Sequence, residues 1–315
     1  MLVDRYGRPV THMRISVTNR CNHYCIFCHN EGIPRGSCGE ELSWRDWGFV
    51  AEVAVSLGIK YYKLTGGEPL LRSDIASIVR AIREAGGSVS IVTNGSFLER
   101  RASELADAGV ERVNVSLHSL NPERFARITS GDLGRVLSGI EFALNYGIPL
   151  KIDYVVLAWN LDEYRDIIGY AEEKGVDLNV IELIPLGMSV SEWRRLHVSL
   201  DPIVEYLEEK SSAKYIKEFQ SRPTYRLPSG IEVTVVRGFC NPELCMKCTR
   251  LRLTPDGFIK TCIYRVADAI NARKHIVERD YEAFKNDIAR AVSLREPFFK
   301  PGAKYSVEEL YGKLR

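Results

Sequence analysis

An α/β fold is expected for this chain: a partial (β/α)6, TIM-like barrel followed by a smaller C-terminal α+β unit. Three features predict it. Six β-branched runs alternate in series with helical patterns, the signature of a parallel sheet. Several helical patterns stop at a glycine, the residue that best accepts the left-handed turn after a helix. After about residue 212 the alternation gives way to short strand patterns separated by turn signals. Eight strand–helix units would close a barrel, so six give a partial one.

The strand patterns fall at 13–18, 61–65, 89–93, 112–117, 150–157 and 177–184. Helical periodicity occupies 43–57, 73–84, 97–108, 133–146 and 161–174, with C-cap glycines at Gly58, Gly86, Gly109, Gly147 and Gly175. A last helix over 202–210 finishes the barrel unit, residues 1–212. In the second unit, residues 213–315, strands are expected at 215–219, 225–227 and 231–236, with turns at Arg222-Pro223 and Pro228-Ser229-Gly230. Asp256-Gly257 between 250–254 and 258–261 is a hairpin signal.

The chain of 315 residues, 45% hydrophobic and 27% charged, has enough apolar content for a sizeable core. Its net charge of +2 argues against a broad nucleic-acid surface. Anions must then be met by a few placed residues. The first residues lack the apolar stretch of a secretion signal, and no apolar run is long enough to span a bilayer. The expectation is a cytoplasmic protein that binds neither membrane nor nucleic acid. Its eight cysteines then point to metal or redox chemistry rather than disulfides.

Cys21, Cys25 and Cys28 form Cys-x3-Cys-x2-Cys directly after the first strand pattern. Neighbouring thiolates oppose one another's ionisation, and a metal removes that cost. Three ligands rather than four is the informative count, because a structural zinc takes four. A [4Fe–4S] cubane on three cysteines keeps one iron open. The competing readings are a zinc site completed by His23, His29 or Cys38, and three buried structural cysteines. Cys245, Cys248 and Cys262 form a second trio, with Cys240 five positions ahead of Cys245. A four-cysteine zinc ribbon is the plain alternative there.

Cys-x3-Cys-x-aromatic-Cys, with Phe27 as the aromatic residue, resembles the signature of radical S-adenosylmethionine (SAM) enzymes. That resemblance implies a barrel of the radical SAM type, a first cluster on Cys21, Cys25 and Cys28, and SAM on its open iron. Thr65-Gly66-Gly67-Glu68-Pro69 ends the second strand pattern and resembles the family's SAM-amino motif, implying SAM contacts from Gly66, Gly67 and Glu68. Ser116, at the end of the fourth pattern, and Ile184, after the sixth, are expected at SAM by the same likeness.

Cys245-x2-Cys248-Thr249-Arg250-Leu251-Arg252, together with Arg14 through Cys21 and Leu64 through Arg72, resembles the molybdenum-cofactor biosynthesis protein A family, the GTP 3′,8-cyclases. The likeness also takes in Arg127 through Asp132 and Val136 through Ile140, so it runs from about Met13 to Cys262. It implies a lyase that makes 3′,8-cyclo-7,8-dihydro-GTP, the first step of molybdenum cofactor biosynthesis. It also implies a second [4Fe–4S] cluster on Cys245, Cys248 and Cys262, with Cys240 spare. GTP contacts are implied at Arg14, Lys63, Thr93, Lys151, Arg250 and Arg252. An electron donor and a downstream pterin-forming enzyme are the implied partners, and a homodimer is compatible with the reading.

Some positions depart from the family pattern. Val92 stands where relatives often carry threonine, and Asn179 and Ile184 replace an arginine and a methionine. The sequence ends Tyr311-Gly312-Lys313-Leu314-Arg315, without the Gly-Gly of many members. Two other classes compete: a peptide-modifying radical SAM maturase, and a non-catalytic zinc- or nucleic-acid-binding protein. Maturases usually carry more C-terminal cysteines and lack Arg250-Leu251-Arg252 beside them.

Overall fold

The computed structural model describes residues 1–33, 39–265, 268–303 and 305–314. Cys38 and Arg315 lie outside the described residues. Six strands form in the order expected: β1 (His12–Ser16), β2 (Tyr61–Thr65), β3 (Ser88–Thr93), β4 (Arg112–Ser116), β5 (Leu150–Val156) and β6 (Asp177–Glu182). Each pairs in parallel with the next. The helices between them include Trp44–Ser56, Ile75–Glu84, Leu98–Asp107, Leu133–Asn145 and Tyr164–Lys174. Gly175 caps the last of these at φ 64°, a left-handed conformation that a Cβ would disfavour.

The remaining strands are β7 (Ala213–Lys217), β8 (Arg222–Arg226), β9 (Glu232–Val236), β10 (Arg250–Leu253), β11 (Phe258–Lys260) and β12 (Ile270–Asn271). They continue the same sheet at both edges. β9 runs parallel beside β6, and β10 runs parallel beside β1. One open sheet of twelve strands results, in the order β12-β11-β10-β1-β2-β3-β4-β5-β6-β9-β8-β7. The expected β10–β11 hairpin is present, with Gly257 in its turn.

Strand side chains alternate between the two faces of a sheet. Toward the helices go Met13, Ile15, Leu64, Ile91, Val113, Val115, Ile152, Tyr154, Leu178 and Val180, all buried in one core. The other face is unlike the apolar interior of a complete barrel. It presents Arg14, Lys63, Ser90, Asn114, Ser116, Lys151, Asp153 and Asn179 to two adjoining cavities. Apolar burial behind the sheet therefore supports a polar concavity in front of it. Among the described residues no helix is long and apolar enough to cross a membrane.

The helix Pro122–Thr129 is not among the sequence expectations, although Asn121 caps it by accepting from the Arg124 amide and Pro122 opens it. Ser189 and Glu192 make a reciprocal capping box on the helix Val190–Leu196. Both signals can be read in the sequence.

Candidate active site

A cavity of about 350 Å³ opens at the strand C-termini and is walled by residues from both halves of the chain. Cys21, Cys25, Phe27 and Cys28 line one part of it. Gly66, Gly67, Thr93, Ser116 and Ile184 line the neighbouring part. Arg14, Lys63, Arg250 and Arg252 also line it. The expected residues Glu68, Lys151, Cys245, Cys248 and Cys262 are not in that wall. Their neighbours Leu244, Ile263 and Tyr264 carry the second cysteine trio up to it.

Glu68 sits one layer behind the wall. It is 1% exposed and accepts from the Thr93 hydroxyl at 2.7 Å, the Asn94 amide at 2.7 Å and the Leu70 amide at 2.9 Å. Burial pushes its carboxyl up to about 7 in spite of these donors. No ion pair to Glu68 is found among the described residues, so it is a carboxylate in want of a cation. The two glycines before it have a packing duty. A Cβ on Gly66 would fall 2.2 Å from the Thr18 carbonyl, and one on Gly67 2.1 Å from that of Arg20. Their small size lets this turn seat against the segment that leads into Cys21.

Arg14 on β1 lies opposite Lys63 on β2 and opposite Arg252 on β10. Three cations on adjacent strands repel one another, and Glu31 answers two of them. Its carboxylate takes Arg14 at 2.7 Å and also pairs with Arg252. Those guanidinium groups hold the Glu31 carboxyl well below its usual range against the opposing effect of burial. Lys260 Nζ fixes the same turn by donating to the Glu31 carbonyl at 3.2 Å and the Gly32 carbonyl at 2.7 Å. Lys63 donates to Asn114 at 3.1 Å, and burial brings its ammonium down to about 7.

Behind the cations lies a second cavity, of about 220 Å³. It is lined by the earlier residues of the same strands, among them His12, Tyr61, Ser88 and Arg112. Lys151 is here, 3.3 Å from the Thr234 hydroxyl and 3.9 Å from Asp177, its ammonium lowered by burial to about 8. Arg14, Lys63, Asn114, Asn179, Arg222 and Arg250 belong to both walls. Seven lysines and arginines face this space with one carboxylate, Glu111. Such a surplus suits a polyanion.

The second trio is closely braced. Cys245 is buried, and burial raises its thiol to about 11. Burial also opposes ionisation of Cys248, yet the charges of Arg250, Arg295 and Arg252 and an amide hydrogen bond draw its thiol below the ordinary value. Arg8 donates to the Cys245 carbonyl at 2.8 Å, and Arg295 to the Cys248 carbonyl at 2.5 Å. Both arginines pair with the buried Asp4, at 2.8 and 3.2 Å. Tyr264, Phe298, Phe299 and Tyr305 pack edge-on or stacked around this loop. The Cys240 thiol donates to the Tyr305 carbonyl at 3.4 Å.

Among the described residues, Cys21, Cys28, Cys245, Cys248 and Cys262 form no disulfide. Among the described residues no three His, Cys, Asp or Glu side chains could hold a single metal ion. A zinc draws its sulfurs to about 2.3 Å from one centre. The first trio, Cys21, Cys25 and Cys28, lines one cavity together, a donor set that a cluster held by three thiolates could use. Arg222, Glu31, Asp153 and the Arg8–Asp4–Arg295 brace are site residues outside the sequence expectations. Asp153 was readable, since it shares the face of Lys151 by strict alternation. Glu31 follows Cys28 in a left-handed turn (φ 52°) and has no pattern to announce it.

A parallel sheet with three cysteines at its C-terminal mouth defines a radical SAM protein, and the matches to known proteins agree. Residues 15–171 match the Radical SAM superfamily model, and residues 176–301 match Molybdenum Cofactor Synthesis C. A "Probable GTP 3′,8-cyclase" of Metallosphaera sedula is 39% identical, over 98% of this chain and all of that one. Another, of Pyrobaculum aerophilum, is 38% identical over 95% of this chain and 98% of its own length. The chain belongs to the family of these GTP 3′,8-cyclases. Among solved structures, Streptococcus suis SuiB bound to S-adenosylmethionine superposes with a TM-score of 0.65 at 16% identity, covering 91% of this chain and 66% of that one. Native anSMEcpe with bound AdoMet gives 0.60 at 15%, covering 96% and 95%. These two share the fold. Membership of the radical SAM superfamily carries SAM and an iron–sulfur cluster with it.

Proposed function

We propose that this chain is a cytoplasmic lyase that converts GTP to (8S)-3′,8-cyclo-7,8-dihydro-GTP, the opening step of molybdenum cofactor biosynthesis. One observation supports this above the rest. A single cavity is lined by the three N-terminal cysteines and by Arg14, Lys63, Arg250 and Arg252. A redox centre and a polyanion binder thus share one space. The peptide-maturase alternative has only the shared fold in its favour, at 15–16% identity.

In this reading residues 1–212 form the barrel unit and 213–315 the cluster-bearing C-terminal unit. Cys21, Cys25 and Cys28 hold one [4Fe–4S] cluster, and Cys245, Cys248 and Cys262 hold a second. When bound, the first cluster and SAM would supply a 5′-deoxyadenosyl radical able to take hydrogen from C3′ of the ribose, and the cyclised product would need one further electron and a proton, the electron coming from the external donor. The chain's own residues do the positioning. Phe27, Gly66, Gly67, Ser116 and Ile184 shape the SAM side, and Glu68 stands ready to balance an ammonium group. Phe27, Val155, Ile181 and Ile184 give that side an apolar lining that keeps water from a reactive centre. Arg14, Arg250 and Arg252 offer forked donors to phosphate oxygens, while Lys63 and Lys151 add compact charge. Thr93 lies beside them, with its hydroxyl already committed to Glu68.

An external electron donor and a pterin-forming enzyme that consumes the product complete the scheme, with a homodimer as the assembly to test. The deciding experiment is anaerobic reconstitution followed by incubation with SAM, dithionite and GTP. Both 5′-deoxyadenosine and a cyclised GTP are expected. Deoxyadenosine without a GTP product would leave the radical SAM class standing and overturn the substrate.

A further inference from the structure

Arg222 opens β8, at the far side of the sheet from Arg252. It lines both cavities, where the space near the cysteines passes into the deeper cationic one. Its Nε is buried and has no hydrogen-bond partner. One terminal nitrogen donates to the Gln220 side chain, and the guanidinium lies 5.1 Å from the Phe219 ring centre. Arg250 shares that ring, at 4.7 Å. The carboxylate whose charge acts on it, Asp153, already accepts from Asn114 at 2.9 Å and Asn179 at 2.6 Å. Arg14 and Arg252 have Glu31. Arg222 has no ion pair among the described residues, although a half-buried guanidinium with a buried, unpartnered Nε is costly without an anion.

We propose that Arg222 binds the terminal phosphate of the nucleoside triphosphate, and that the 220 Å³ cavity receives the end of the phosphate chain. The inference rests on the GTP reading above and adds to it a residue that neither the family likeness nor the sequence pattern assigns. The geometry supplies the direction. From the main cavity, where the base and ribose would lie, the adjoining cation-lined space is reached past Arg222, which lines both. Phosphate oxygens there would satisfy the orphaned Nε and relieve the repulsion from Arg250 and Arg14. Burial lowers the basicity of Arg222, opposed by the charges of Asp153 and Cys248 and assisted by that of Arg14.

The test is equilibrium binding of GTP, GMP and inorganic tripolyphosphate to the reconstituted full chain, as wild type, R222A and R222K. A charge-assisted hydrogen bond of about 1.5–3 kcal/mol corresponds to roughly a 10- to 100-fold effect. R222A should weaken GTP and tripolyphosphate by that factor and leave GMP within about twofold. R222K should recover part of the loss. Equal weakening of GMP and GTP in both variants would mean that Arg222 only shapes the fold, and the inference would fall. So would GTP binding that neither variant changes. Should R222A not fold, R222K and R222Q carry the same comparison. A wild type that binds GTP no better than GMP would defeat the triphosphate reading itself, separately from Arg222.

Discussion

The two cysteine loops of this molecule are held in place by different means. The first, Cys21 to Cys28, is a solvent-facing loop whose cysteines are exposed or half-buried. The lead-in to it is held mainly through backbone, with the Gly67 and Glu68 amides donating to the Thr18 and Arg20 carbonyls at 2.7 and 2.8 Å, while the Arg20–Glu41 pair is loose at 3.7 Å with the arginine largely in water. The second is packed under an aromatic cluster. Its carbonyls are tied to two buried arginines that share the buried Asp4. The difference teaches that an open loop leaves room for a reactant beside its sulfurs, whereas a braced loop holds its sulfurs in place and buries charge to do so. Glu31 joins them, since it follows Cys28 and pairs with Arg252 next to Cys248.

The largest expected effect breaks the first loop. Replacing Cys21, Cys25 and Cys28 together by alanine should reduce 5′-deoxyadenosine formation to background, read by chromatography after reduction. Retained cleavage of SAM would sink the assignment. Cys262→Ala should separate the loops: SAM is still cleaved when GTP is present, but no cyclised product appears. Normal turnover would remove the second trio from the chemistry.

Stability should show the contrast in bracing. Arg295→Ala leaves a buried acid short of a partner and is expected to cost about 3–5 kcal/mol, measured by urea unfolding. Arg20→Ala, at the exposed pair of the first loop, should cost less than about 1 kcal/mol. Equal losses would erase the distinction between the loops. Glu31→Gln should come next in size, with tripolyphosphate binding tightened roughly severalfold because Arg14 and Arg252 lose their internal anion. Weaker binding would instead make Glu31 a support that the arginines need.

The smallest expected effect is in the pH dependence of the unliganded chain. Glu68 titrates near 7 when folded, above its ordinary 4.5. The folded state then binds the extra proton, so this group's contribution is fully present below the unfolded value and falls away as pH rises toward 7. Glu68→Gln should flatten that stretch of the stability profile, and an unchanged slope between pH 4.5 and 7 would refute the role.

Much of this was legible in advance. The six parallel strands lie within about two residues of their sequence patterns, because alternation and C-cap glycines are local signals. Cysteine spacing likewise marks both loops. What could not be read is whatever depends on distant pairing. Nothing near Arg250 announces that β10 will lie beside β1, and nothing near Glu232 announces β9 beside β6. Arg222, Arg8 and Arg295 gain their meaning only from those neighbours. Glu68 was found by motif, but its place behind the wall follows from how Gly66 and Gly67 seat against Thr18 and Arg20.

The sheet order also bears on how the chain is made. His12 lies opposite Arg250, so the first strand to leave the ribosome waits for nearly the whole chain before one of its edges is covered. The sixth strand waits too, though less long, for Val233 to reach Leu178. A nascent ribbon of six units would carry bare strand edges, prone to pairing with the wrong partner. Closing such long separations is slow. The last third of the polypeptide thus acts as a clasp on synthesis: until it docks, the polar concavity has no finished wall, and a chain halted before it would be a candidate for chaperones.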